Sequence, residues 1–175
     1  LQNIQYPKKI LYFHNDPLEM QGSKKLSERL NLINELDKII FNSNWSKQRF
    51  IHGFDKADRI STKLIVIKQS TNKVRINLRS KEKLITFVGK LNKSKGYDLF
   101  GQAVINILNK HKDWKSVVIG DEPRENIDFK HKRLKLLGHI QHTKVLKYLQ
   151  RTSISVVCSR WEEPFGRTSL EAASR

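Results

Sequence analysis

The apolar and polar positions divide the chain into short runs separated by marked turns. Lys9–Phe13 is a compact apolar stretch that reads as a buried strand. It ends in the loop His14-Asn15-Asp16-Pro17, because Pro17 disfavours helix at Asp16. Ser23 can N-cap a helix whose apolar stripe is Leu26, Leu30, Ile33 and Leu36. Lys38–Asn42 reads as the next strand. Ser43 or Asn44 then caps a short helix over Trp45–His52, which Gly53 closes. Leu64–Ile67 is a further strand. Gln69–Lys83 is polar and has no apolar period, which predicts a boundary or linker.

A regular alternation follows. Leu84–Val88 reads as a strand, Gly89–Gly96 as a loop and Tyr97–Asn109 as a helix. Ser116–Ile119 is a strand ending at Gly120-Asp121, and Leu134–Leu137 a strand ending at Gly138. Thr143–Gln150 is a helix, Ile154–Val157 a strand, Arg160–Gly166 a loop, and a helix starts near Arg167. Apolar runs alternating with helices predict an α/β fold with parallel strands and helices on both faces. Ligands of such sheets sit beyond the carboxyl ends of the strands. The loops at His14, Gly89–Gly96, Gly120-Asp121, Gly138–Ile140 and Arg160–Gly166 all fall there.

Composition bounds the function. The 175 residues suffice for one ordinary domain or for pieces of two. With 38% hydrophobic and 29% charged residues, a packed core is expected and wholesale disorder is not. Lys and Arg number 34 against 17 Asp and Glu, a net charge of +17 that calls for an anionic partner. Nucleic acid, an acidic membrane surface and phosphorylated small molecules qualify. The basic residues, 23 Lys and 11 Arg, are scattered, with no arginine-rich stripe interleaved with aromatics, so nucleic-acid binding is poorly supported. A bias toward Lys, Ile and Asn accounts for part of the charge. No apolar run approaches the roughly 18 residues of a membrane-spanning helix. Cys158 is the one cysteine, which excludes an intrachain disulfide and fits a reducing compartment. The chain opens on Leu1 and closes on Ser169–Arg175, good helix formers without a cap, and so reads as an internal fragment.

The strongest candidate chemistry is Glu163-Pro-Phe-Gly166-Arg-Thr-Ser-Leu-Glu171, directly after a strand. Free N–H groups at the start of the following helix form an anion site, and Gly166 allows a phosphate close to the backbone. A carboxylate can accept from two neighbouring hydroxyls of a sugar or ribose. Two carboxylates flanking a phosphate site therefore suit a nucleotide-sugar. On spacing alone, the plainer reading of a solvated Glu163 and an exposed Glu171 is favoured. The second candidate is the loop Gly89-Lys90-Leu-Asn-Lys-Ser-Lys95-Gly96, where Lys90 and Lys95 can neutralise a diphosphate. It matches neither the phosphate-loop pattern nor G-x-G-x-x-G, and a Lys-rich loop is usually just solvated. Its weight comes from sharing a sheet edge with the Glu pair. His14 is the third candidate, though a lone His after a strand is more often structural. His139 and His142 stand three apart without a third ligand, so no metal is assigned.

These residues resemble a known family. Gly89-Lys-Leu-Asn-Lys-Ser-Lys-Gly96-Tyr-Asp-Leu is similar to its G-R-L-x-x-x-K-G-x-D-L element. Glu163 to Ala173 is similar to its signature of two Glu separated by seven residues, and Val117–Asp121 and Leu137–Ile140 fit its strand ends in order. The family is the group 1 glycosyltransferases (family four, retaining, GT-B fold), and the similarity is to members of lipopolysaccharide and surface-glycan synthesis. Less specifically, Tyr12–Pro17, Leu36–Ser43 and Trp45–Phe50 resemble the end of the family's first Rossmann-like domain. The resemblance implies two incomplete Rossmann-like domains: an acceptor-side part at 1–70, a linker at 71–82, and a nucleotide-sugar-binding part at 83–175.

It also implies roles. Lys90 and Lys95, in the loop opened by Gly89, would contact the donor diphosphate. Glu163 would hold hydroxyls of the transferred sugar, Phe165, Gly166 and Arg167 would offer backbone amides, and Glu171 would bind the ribose diol. Backbone groups near His139 and Ile140 would face the base, and His14 would reach the donor sugar. Glu163, Lys95 and His14 are then the catalytic set, with no metal and no cofactor beyond a UDP- or GDP-sugar donor. The acceptor would be a glycan or a lipid-linked glycan, at the cytoplasmic side of the membrane, with the basic surface docking on its anionic leaflet. Two features depart from the family: Lys90 stands for the usual Arg, and Gln69-Ser70-Thr71 stands for an Asn-Gly turn. The competing classes are a donor-binding module without turnover and a basic nucleic-acid-binding protein.

Overall fold

The computed structural model describes residues 8–54, 62–72 and 74–175. The chain divides into two compact units, Leu1–Gln69 and Ser70–Arg175.

The first unit is a three-stranded parallel sheet, β1 (Ile10–Phe13), β2 (Lys38–Phe41) and β3 (Leu64–Val66), in that order. Two helices connect the strands, α1 (Leu26–Glu35) and α2 (Asn44–Ile51). Phe13, Phe41 and Phe50 form an aromatic core with ring centroids 5.2–5.6 Å apart. Ile33, Leu36, Ile39 and Leu64 complete it. Ser43 caps α2 as expected, its hydroxyl accepting from Ser46 N at 3.1 Å.

The start of α1 corrects the sequence reading. Ser23 is not its cap; its buried hydroxyl donates to Pro17 O at 2.6 Å. The helix starts at Leu26, where Lys25 N donates to Glu28 Oε2 at 2.9 Å. Leu26 and Leu30 face outward, 41% and 43% exposed, and Arg29 is buried beside Ile33 instead. The reason is polar. The Arg29 guanidinium donates to the carbonyls of Ser23, Lys24 and His52 at 2.8–3.1 Å, so turning it inward satisfies three backbone acceptors.

The second unit is a four-stranded parallel sheet, ordered β6 (Leu134–Leu136), β5 (Lys115–Ile119), β4 (Glu82–Val88), β7 (Thr152–Val156). Its helices are α3 (Tyr97–Lys110), α4 (His142–Arg151) and α5 (Arg167–Ala173). β4 begins at Glu82, so it takes two residues that polarity alone assigned to the linker. A 3-10 turn at Leu78–Ser80 precedes it, with Asn77 Oδ1 accepting from Arg79 N at 3.1 Å.

Side chains alternate across this sheet. Ile85, Phe87 and Val118 pack against Tyr97, Phe100, Val104 and Leu108, largely from α3. Leu84, Val117 and Ile119 pack on the other face against Val145 and Leu149 of α4. Both faces are covered, which is why these strands read as unbroken apolar runs.

Candidate functional site

Because the four strands of the second unit are parallel, their carboxyl ends share one edge. The loops leaving β4, β5 and β6 are knitted together there by backbone hydrogen bonds. Gly89 N donates to Ile119 O at 3.0 Å, Gly120 N to Gly138 O at 2.9 Å, and Leu91 N to Asp121 O at 3.3 Å. Gly120 makes this approach possible. Its φ is +136°, and a Cβ there would stand 1.9 Å from the Gly89 carbonyl oxygen. A cleft of about 450 Å³ opens over this edge, lined by Gly89, Lys90, Asp121, His139, Ile140 and His142 among others.

The loops after β4 and β7 are tied together separately. Arg160 N donates to Ser94 O at 2.9 Å. The Arg160 guanidinium reaches Lys93 O at 2.6 Å and both Asp98 oxygens at 2.7 and 2.9 Å, holding the Asp98 carboxyl below its ordinary range. Gly96 (φ +72°) backs onto Cys158, where a Cβ would meet the Cys158 carbonyl oxygen at 2.0 Å. Burial pushes the Cys158 thiol up, away from thiolate reactivity.

This lacing brings Lys95 and Glu163 into an ion pair. Ser159 Oγ donates to the same Glu163 oxygen at 2.9 Å, and Asn92 Oδ1 accepts from Lys95 N at 2.9 Å. Both charged side chains remain about a third exposed, so the pair is held yet accessible.

Glu171 is buried, contrary to the plainer sequence reading. Its Oε1 lies 2.9 Å from His142 Nε2 and 3.1 Å from Arg167 Nη2. His142 is the first residue of α4, which places the carboxylate near the positive end of that helix. Gly166 (φ +78°) stands at the start of α5, and Phe165 beside it is half-buried.

The expected residues thus fall into groups. Gly89, Lys90, His139 and Ile140 line the cleft. Glu171 joins them through His142. Lys95 and Glu163 form a pair outside the cleft lining, on the same sheet edge. His14 belongs to the first unit. It is exposed, with Nδ1 2.8 Å from Gln69 Nε2 and its ring centroid 4.4 Å from that of Tyr12. The Glu122–Arg124 pair, in the loop after β5, carries no motif in the sequence. Arg124 Nε donates to Glu122 Oε1 at 2.7 Å and holds that carboxyl down at about 2. In the sequence His142 stands out by its spacing from His139 alone; its place at a helix start after a strand-end loop is the further signal. Among the described residues, no group of three or more His, Cys, Asp or Glu is arranged to hold a metal ion. No helix among them is long and apolar enough to cross a membrane.

Comparison with known proteins places the chain in a family and a fold. The family model described as "Glycosyl transferases group 1" matches residues 68–175. The lipopolysaccharide core biosynthesis mannosyltransferase LpcC of Rhizobium leguminosarum bv. viciae is 34% identical over 105 residues, 53% of this chain and 29% of that protein. An uncharacterized 42.6 kDa protein in the cps region of Klebsiella pneumoniae is 29% identical over 143 residues, covering 78% of this chain and 36% of its own length. The chain therefore spans about a third of the curated relatives it matches. Among solved structures, Anabaena Alr3699/HepE in complex with UDP-glucose has a TM-score of 0.70 at 16% identity, over 94% of this chain and half of that one. TarM has a TM-score of 0.69 at 14% identity, over 98% of this chain and 36% of that one. The fold is α/β with parallel sheets of the GT-B kind. The chain belongs to the group 1 glycosyl transferases.

Proposed function

We propose that this chain is the donor-holding part of a retaining glycosyltransferase. It moves a hexose from a UDP- or GDP-sugar to a glycan or lipid-linked acceptor in cell-surface polysaccharide or lipopolysaccharide synthesis. The observation that carries this reading is the meeting of a cationic loop and two acidic residues on one strand-end edge, beside a cleft of about 450 Å³. The LpcC similarity points to lipopolysaccharide core synthesis, and HepE, of like fold, has been solved with UDP-glucose.

The chemistry follows from charge. Breaking the sugar–phosphate bond builds negative charge on the leaving diphosphate. Lys90 at the cleft and Lys95 beside Glu163 supply two ammonium groups for that charge, each with three donors. Lys95 gives one donor to Glu163 and keeps the others for phosphate oxygens. Glu163, steadied by Lys95 and Ser159, accepts from hydroxyls of the transferred sugar. The backbone amides of Phe165, Gly166 and Arg167 add donors at the same turn, and the backbone of His139 and Ile140 borders the base. No enzyme nucleophile is required if the acceptor attacks from the face the diphosphate leaves. The net charge of +17 suits peripheral docking at a cytoplasmic anionic leaflet.

The test is calorimetric titration of this chain with uridine and guanosine diphosphates, beside a transfer assay on the chain and on a longer protein containing it. Binding of one diphosphate with transfer by the longer protein supports the reading. Absence of binding to either diphosphate removes it. Binding without transfer by the chain alone identifies it as a donor-holding module.

A further inference from the structure

We propose that His142 is a positioning residue for the ribose of the donor nucleotide, acting through Glu171; this rests on the donor-site reading above. The Glu171 side chain is only 10% exposed, and its Oε1 carries both of its hydrogen-bonded partners, His142 Nε2 at 2.9 Å and Arg167 Nη2 at 3.1 Å. Oε2 has no hydrogen bond among the described residues. A carboxylate has about four acceptor sites, so two remain, both on one oxygen, and that matches the two donors of a vicinal diol.

The two contacts differ in kind. Arg167 lies four residues before Glu171 on α5 itself, and its side chain is 64% exposed. His142 comes from α4, lines the cleft, and is the contact that fixes the carboxylate relative to the cleft wall. Removing the imidazole leaves Glu171 held only by its own flexible helix neighbour. The carboxylate then samples other rotamers, and the diol loses its fixed acceptor. The charged and titratable groups around this pair are Lys90, Asp121 and His139 of the cleft lining and Arg167 of α5. Lys90 and Asp121 come from the loops after β4 and β5, apart from α4, whereas His139 stands three residues before His142 in the segment that leads into it.

The experiment compares uridine and guanosine diphosphates with their 2′-deoxy forms by calorimetry on the full 175-residue chain, as wild type, His142→Ala, His142→Gln and Glu171→Gln. The wild type is expected to prefer the ribose form by about tenfold or more, the worth of one hydrogen bond to a charged acceptor. His142→Ala loses that preference by weakening the ribose form alone, with the deoxy form held within about twofold by the same reasoning. His142→Gln, whose amide can still donate to Glu171, restores most of it. A general structural loss would weaken both forms equally. If His142→Ala keeps the full ribose preference, or weakens both forms alike while Glu171→Gln abolishes the preference, the inference is overturned and the donor-site reading stands. If the wild type binds no nucleoside diphosphate, both are overturned.

Discussion

The Lys95 ammonium is ion-paired to the Glu163 carboxylate, a contact between residues 68 positions apart in sequence. Each comes from a loop at the carboxyl end of a neighbouring strand, β4 and β7, and the parallel register brings those ends together. A pair a third exposed contributes little to folding. Its significance is that a cation for phosphate and an acceptor for hydroxyls hold each other in place.

The two partners should therefore fail differently. Lys95→Ala is expected to weaken nucleoside diphosphate binding by about tenfold or more, since a charged donor to phosphate is lost. Glu163→Gln should leave diphosphate binding within about threefold and lower transfer by about a hundredfold or more in the longer protein, because its task is at the sugar. Calorimetry and a transfer assay separate the two. Equal effects of both changes on diphosphate affinity would contradict the division of labour.

Gly120 is expected to tolerate no side chain. Gly120→Ala forces a β-carbon onto the Gly89 carbonyl at a positive φ, costing about 2 kcal/mol or more. Chemical denaturation should show that loss, and diphosphate binding should fall further than stability requires because the Gly89 loop is displaced. Gly138→Ala has open space around its Cβ and only the φ of +66° to strain it, so it should be the milder change.

Core truncation should separate the two units. Phe50→Ala removes a fully buried side chain from the core of the first unit, and Leu108→Ala does so in the second. Each is expected to cost about 3–5 kcal/mol. Hydrogen exchange should show protection lost mainly in the unit that carries the change.

Acid should destabilise the fold. Arg124 holds the Glu122 carboxyl at about 2, against an ordinary value of 4.5, and Arg151, Arg160 and Lys83 likewise lower Glu82, Asp98 and Asp113. A carboxyl lowered by folding binds protons more readily when unfolded. Its stabilisation is complete above the ordinary value and is lost as pH falls toward the folded one. The melting temperature should thus decline between about pH 4.5 and 2. Glu122→Gln should flatten part of that decline in a thermal melt series.

Much of the second unit was legible in the sequence because its strands are covered on both faces. Leu84–Val88 and Ser116–Ile119 are short, largely apolar runs each closed by a glycine, and the structure extends them by only one or two residues at their amino ends. The loops at the strand ends could be placed on one edge from strand direction alone. Three-dimensional pairing was not legible. The apolar stripe passes over Arg29, because the carbonyls that draw it inward come from separate segments, His52 lying 23 residues away. Glu171 looked exposed because the residue that encloses it, His142, lies 29 residues earlier on another helix. Local periodicity carries no information on either.

The central claim is that a pyrophosphate sits at the edge where β4, β5, β6 and β7 end. A crystal structure of this chain with a bound nucleoside diphosphate tests it most directly. The account predicts phosphate oxygens within hydrogen-bond distance of Lys90 or Lys95, and the ribose on Glu171. A nucleotide seated instead on the loop at Asp128–Lys132, touching neither lysine nor Glu171, would contradict it.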